Sequence, residues 1–217
     1  MLKKIFVVFK LILLVEISLC QRNERVDLTD NWKLINSNLK YNISNVRIPN
    51  SIHTVLYQNG LIDNPLYRYN DIELRYLAKD DNWIFQANFS IMLDSNQKVK
   101  IDLNLDSIDT VATVYLNGKF VKYLNNQFLK YKIENINSFL YTNGTQNILE
   151  IRFKSAINQA SYLANIYPYR VPVVCPPDVQ HGECQVNLLR KEQCSFSWDW
   201  GPAFANIGIN GPVYLDL

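Results

Sequence analysis

Residues 195–204 read SFSWDWGPAF and set one carboxylate, Asp199, between two indoles, Trp198 and Trp200. That grouping suits a ligand with apolar faces and a hydroxylated rim. An indole covers C–H groups with its negative π face. An ionised carboxylate accepts hydroxyl hydrogens through charge-assisted bonds, which are stronger than neutral ones. A pyranose ring presents both kinds of surface.

Strand geometry complicates this reading. In an extended segment Trp198 and Trp200 point one way and Asp199 the other, so the three do not line one pocket. Gly201-Pro202 ends such a strand at once, and the backbone there can turn enough to bring Asp199 round. The competing reading makes both tryptophans core residues and Asp199 the cap of a turn. Large aromatics most often serve burial, so composition alone favours that alternative.

Other reactive side chains are sparse. His53 and His181 are the only histidines. A Ser-His-Asp arrangement needs one of them beside an activated serine, and no nucleophile-elbow pattern is present. His53 falls in a short helical stretch and is expected to pack or cap. Glu183 and Glu192 are expected on solvated surface. No catalytic residue, metal ligand or cofactor is predicted. Cys175, Cys184 and Cys194 follow the first twenty residues. In an oxidising compartment two would pair. Cys175 and Cys184 bracket the loop PPDVQHGE and are the expected disulfide. Cys194 is then a buried free thiol, or pairs in trans. The spacing around His181 matches no familiar zinc pattern.

The elements that position these residues read as strands. Trp83, Phe85, Ala87, Phe89 and Ile91 alternate with polar residues, and Val99, Ile101, Leu103 and Leu105 do the same, which is the period of a half-buried strand. Val111–Leu116 runs into Asn117-Gly118, a pair that tolerates the positive φ of a tight hairpin, so residues 119–123 should fold back as its partner. Ile148–Phe153 follows a turn at Asn143-Gly144, and Val213–Leu217 forms a terminal strand. Ser51–Asn59 reads as a short helix, with Asn50 or Ser51 as cap and Gly60 as stop. Residues 158–163 are expected to hold another helical turn. Many strands at short spacing without regular helices predict an all-β, antiparallel sandwich of one domain. Ser155–Lys191 breaks the pattern. It contains Pro168, Pro172, Pro176 and Pro177, and long loops in compact domains are usually functional or stapled.

Residues 1–20 belong to another class. Lys3 and Lys4 precede the run Ile5–Val15, apolar except for Lys10, and Ser18 and Cys20 supply small residues at cleavage spacing. This reads as a secretory signal peptide, with residues 21–217 as the mature domain. An anchoring helix is the alternative, but the run is short for a bilayer and carries Lys10 and Glu16. Taking its three lysines and one glutamate from 22 basic and 20 acidic residues leaves a net charge near zero. No basic tract remains for a phosphate backbone, so nucleic acid is not an expected partner. Neither is a membrane after cleavage. Sequons at Asn42, Asn88 and Asn143 point to a glycosylated, lumenal protein.

The segment CPPDVQHGECQVNLLRKEQCSFSWDWGPAF closely resembles the β-mannosidases of glycoside hydrolase family 2, the animal lysosomal enzymes above all. The resemblance extends through IPNSIHTVLYQNGLIDNPLYRYND, WIFQANFSI and DTVATVYLNGKF. The WDWGP block and the cysteine-bracketed loop are its specific parts, while the VYLNG hairpin is shared more widely. It implies an N-terminal sugar-binding domain, a jelly-roll β-sandwich of galactose-binding-domain-like type that packs on a separate (β/α)₈ catalytic barrel. It further implies that Asp199 binds hydroxyls of a terminal mannose while Trp198 and Trp200 shape the pocket wall. The family releases terminal non-reducing β-D-mannose from N-glycan-derived oligosaccharides, using two glutamates of the barrel. Retaining hydrolysis requires such a carboxyl pair, and no glutamate here lies in the family's catalytic motif. This chain alone is therefore expected to be inactive, its partners a β-mannoside oligosaccharide and the barrel, its destination the lysosome or the cell exterior. A secreted, non-catalytic mannoside-binding module and a remnant without ligand are the alternatives. One departure is visible. The family usually carries a packing tryptophan and a basic residue after its Gly-Ile, whereas Ile209 is followed by Asn210-Gly211-Pro212.

Overall fold

In chain order, β1 (Arg25–Asp27), β2 (Trp32–Asn36), β3 (Tyr41–Val46) and β4 (Asn50–Ser51) lead into α1 (Ile52–Gln58), α2 (Asn70–Glu73) and α3 (Arg75–Lys79). Seven strands follow: β5 (Trp83–Met92), β6 (Asp102–Asp106), β7 (Ile108–Asp109), β8 (Ala112–Leu116), β9 (Lys119–Leu124), β10 (Lys130–Ile133) and β11 (Asn143–Phe153). After α4 (Ala156–Ile166) the chain makes short 3₁₀ turns before β12 (Gly208–Ile209) and β13 (Val213–Asp216). The computed structural model describes residues 24–94, 99–172 and 175–217. The leader expected at residues 1–20 lies outside the described residues.

Two antiparallel sheets enclose the core. One has the order β3-β2-β5-β11-β8-β9, the other β1-β13-β6-β10, and β4-β12-β7 form a small third sheet. Register explains the packing. Leu34 pairs with Phe85, Phe85 with Ile151 and Ile151 with Val114, so one buried row crosses four strands. On the other sheet Leu103 lies opposite both Leu215 and Ile133. A slip of one residue would turn either row to the opposite face of its sheet. The two faces merge into one buried cluster, as the period-two pattern requires.

The predicted hairpin forms at Asn117-Gly118, where both residues have positive φ. Ser51, not Asn50, caps α1 by accepting from the Thr54 amide. Two expectations change. The turn expected over residues 158–163 is the eleven-residue helix α4, capped by Ser155. In β6 the alternate positions Asp102 and Asn104 are buried as well. Lys132 pairs with Asp102 and Asn104 donates to Asp216, so ion pairs and hydrogen bonds replace the water expected there. Gly211 packs on β6, where an added Cβ would stand 2.5 Å from the Asp106 carbonyl oxygen. The adjoining Asn210 side chain reaches the Asp109 carboxylate at 3.5 Å.

The long excursion after β11 is anchored by its own small cluster. Leu189 and Phe196 pack with Ala156 and Ala160 of α4, and with Ala78, Val111 and Ala205. Phe196 thus sits fixed two residues before Trp198. Among the described residues no helix is long and apolar enough to cross a membrane.

Candidate functional site

Residues 198–201 form a tight reverse turn. The Trp198 amide donates to the Gly201 carbonyl at 3.3 Å, and the Gly201 amide donates to the Trp198 carbonyl at 3.2 Å. Asp199 and Trp200 are therefore the two tip residues. This corrects the extended strand expected there and removes its objection, because side chains at a turn need not alternate. The reading of both tryptophans as core is also corrected. Trp198 is 55% exposed and Trp200 88%. The two buried indoles, Trp32 and Trp83, lie instead on β2 and β5.

Trp198 stands between two clefts. The first, about 340 Å³, is walled by Trp198, Asp199, Pro176, Pro177 and Phe196, with Gln180 beside the carboxylate. The second, about 720 Å³, lies on the α1 side and includes His53, Leu66, Glu192, Cys194, Trp198 and Phe204. Both fall in the range of small-molecule sites, mostly apolar with a few polar groups.

The disulfide-closed loop supports the turn. Cys175 and Cys184 are joined, as the bracketed spacing predicts. Within the loop, Gln180 Nε2 donates to Asp199 Oδ1 at 2.8 Å, and Ser197 Oγ donates to Gln180 Oε1 at 3.1 Å. The second carboxylate oxygen carries no hydrogen bond among the described residues. Ser197 has φ 128° and ψ 161°, a conformation almost confined to glycine. It is held by bonds on both sides. The Ser197 amide donates to Cys194, and the Glu183 amide donates to the Phe196 carbonyl at 2.7 Å. Gly182 permits this approach, since a Cβ there would lie 2.6 Å from Ser197 Cβ and 2.7 Å from the Phe196 oxygen.

Three expectations about neighbouring groups need correction. Glu183 is buried, not solvated. Its carboxylate takes Lys79 at 3.1 Å and Arg75 at 3.9 Å, both from α3. Glu192 is half-buried. One of its oxygens lies 3.3 Å from Lys191 Nζ, and the other is buried without a hydrogen-bond partner among the described residues. Cys194 is exposed rather than buried, because the 3₁₀ turn that contains it, Gln193–Phe196, directs Ser195 and Phe196 inward instead. Sequence reasoning also missed a fully buried pair. Lys191 Nζ contacts Asp109 at 2.5 Å and donates to the Asn206 carbonyl at 3.1 Å. Thr110 donates to the same carboxylate. Burial pushes the Asp109 carboxyl up, against the opposing pull of Lys191.

His53 packs, as expected. Its ring meets Phe204 edge to face at 5.5 Å, and Nδ1 lies 3.5 Å from the Asn206 side-chain oxygen. Burial holds its pKa below the ordinary 6.5, although the Asn206 contact acts the other way. Asn42, Asn88 and Asn143 are all exposed. Among the described residues no group of three or more His, Cys, Asp or Glu side chains could hold a metal.

Residues 32–211 match the family described as glycosyl hydrolase 2 galactose-binding domain-like. The chain is 39% identical over 192 residues to a β-mannosidase of Rattus norvegicus, covering 87% of this chain and 21% of that protein. It is 37% identical over 199 residues to a probable β-mannosidase of Caenorhabditis elegans, covering 90% and 21%. Its backbone is similar to the crystal structure of a β-D-mannosidase from Dictyoglomus thermophilum, with a TM-score of 0.75 and 30% identity over 88% of this chain and 22% of that one. The chain thus spans about a fifth of the length of these relatives.

Proposed function

This chain belongs to the glycosyl hydrolase 2 galactose-binding domain-like family, and on that premise we propose that its 198–201 turn holds the terminal mannose of a β-mannoside. The observation that carries the reading is the tip itself: a carboxylate with one oxygen unengaged, flanked by two exposed indoles, beside a cleft. Asp199 accepts sugar hydroxyls, while Trp198 and Trp200 offer faces to the ring's C–H groups.

The domain of residues 21–217, after a signal peptide at 1–20, serves a β-mannosidase that releases terminal non-reducing β-mannose from N-glycan-derived oligosaccharides. A (β/α)₈ barrel supplies the catalytic carboxyl pair. Asn42, Asn88 and Asn143 carry glycans, and the protein goes to the lysosome or the cell exterior. The domain by itself is inactive. Retaining hydrolysis needs two carboxyl groups about 5–5.5 Å apart, and of the two that line the Asp199 cleft, Glu183 is committed to Lys79 and Arg75. The exposure of the tip favours a second reading, a binding module that acts without hydrolysis.

Titrating methyl β-mannoside into this chain tests the site by calorimetry or NMR. Binding by the wild type and its loss in Asp199→Ala is the expected result; binding that survives Asp199→Ala removes the residue from the site. Incubation with an aryl β-mannoside should release no product, and turnover abolished by Asp199→Ala would overturn the assignment of catalysis to another domain.

A further inference from the structure

We infer that Gln180 is the positioning residue of this site, and that the Cys175–Cys184 loop exists to hold it against Asp199. The inference rests on Asp199 being the sugar acceptor and adds how that carboxylate is aimed. An exposed aspartate at a turn tip samples several rotamers, and each costs binding free energy when it must be fixed on association. Gln180 removes that freedom beforehand. Its Nε2 donates to Oδ1 at 2.8 Å and leaves Oδ2 for the ligand. The amide is itself oriented, because Ser197 Oγ donates to its oxygen at 3.1 Å. The carboxylate settles which end of the amide faces it, since it only accepts and so requires the nitrogen; the Ser197 hydroxyl, able to donate or accept, then donates to the amide oxygen.

The chain makes three local concessions around this relay. Ser197 adopts a backbone conformation natural to glycine. Gly182 lacks the side chain that would strike Ser197 and Phe196. The His181 residue that follows Gln180 lies in the left-handed region, ending the 3₁₀ turn Asp178–Gln180. A disulfide closing a nine-residue separation confines all of this. Strain of this kind persists only where the surroundings over-determine it, and it gathers at ligand sites.

The test is methyl β-mannoside affinity measured on this chain, with Gln180→Glu as the decisive variant. Glutamate preserves size and still accepts from Ser197, but it cannot donate to Asp199 and sets a like charge beside it. Affinity should fall about tenfold or more, on the scale of losing a charge-assisted hydrogen bond, with the melting temperature nearly unchanged. Ser197→Ala should weaken binding by a smaller factor. A Cys175→Ser/Cys184→Ser double variant should lose about as much as Gln180→Ala, and combining the changes should add little, because they act as one unit. A spectroscopic readout separates positioning from bulk structure: the Gln180 side-chain amide proton resonances should move on mannoside addition and lose their bonded shift in Asp199→Ala. Should the cysteine variant fail to fold, Gln180→Glu and the amide signal carry the test. Wild-type affinity in Gln180→Glu, with binding lost in Asp199→Ala, overturns this inference alone. Absent wild-type binding, or binding indifferent to Asp199→Ala, overturns the site and the inference with it.

Discussion

The four tryptophans divide into two pairs with opposite surroundings. Trp32 and Trp83 are wholly buried, and each indole N–H donates to a backbone carbonyl at 2.7 Å, of Leu28 and Leu77. Trp198 and Trp200 stand largely in solvent at the tip of a four-residue turn. The first pair is surrounded by the merged core of two sheets. The second rests on a disulfide, a few hydrogen bonds and one strained serine. A buried indole with its donor satisfied stabilises the fold through area and packing. An exposed indole contributes little to folding and leaves its face for a ligand. The two regions differ in what holds them: redundancy of contacts in the sandwich, a short chain of specific bonds at the turn.

The largest effect should come from the core pair. Trp83→Ala should cost about 3–5 kcal/mol of stability, the range for emptying a large buried aromatic site, measured by urea unfolding. Trp200→Ala should leave stability within about 0.5 kcal/mol; equal losses in the two variants would erase the division. Next is the pair that ties the excursion to the small third sheet. Lys191→Ala leaves Asp109 buried and unpaired, and should cost about 3 kcal/mol, whereas Lys191→Met with Asp109→Leu should recover much of it. For Trp200→Ala the expected loss is in mannoside affinity, three- to tenfold or about 0.5–1.5 kcal/mol, read by calorimetry. The smallest effect concerns pH. Burial depresses the His53 pKa below 6.5, so the stability due to its neutral form is complete above that value. It is lost as pH falls towards the folded-state pKa. Melts between about pH 7.5 and pH 5 should therefore show a shallower decline in His53→Gln than in the wild type.

Local sequence determines local structure where one periodicity rules. The strand at Trp83–Met92, the hairpin at Asn117-Gly118 and the helix capped by Ser51 each carry their signal within a few residues. Trp32–Asn36 alternates in the same way, but it is short and followed by asparagine-rich sequence that blurs its ends. The excursion had no period to follow, so the length of α4 and the burial of Phe196 were not legible. Glu183, Glu192 and Cys194 depart from the sequence expectation for a related reason. Their exposure depends on α3 and on a 3₁₀ turn whose packing no nearby residue announces. Gln180 and the Asp109–Lys191 pair were invisible because their partners lie 19 and 82 positions away.

The chain's residue types and local periods were enough to specify an antiparallel sandwich, a stapled loop and an aromatic-acidic cluster near residue 199, because alternation, turn chemistry and cysteine spacing act over short stretches. Whether that cluster faced the core or the solvent was decided in three dimensions. A turn of four residues, held by contacts distant in sequence, turned both indoles outward and gave the carboxylate its neighbour. Periodicity cannot report such an outcome, since it records which face a residue takes within an element and says nothing of where an irregular segment is pinned.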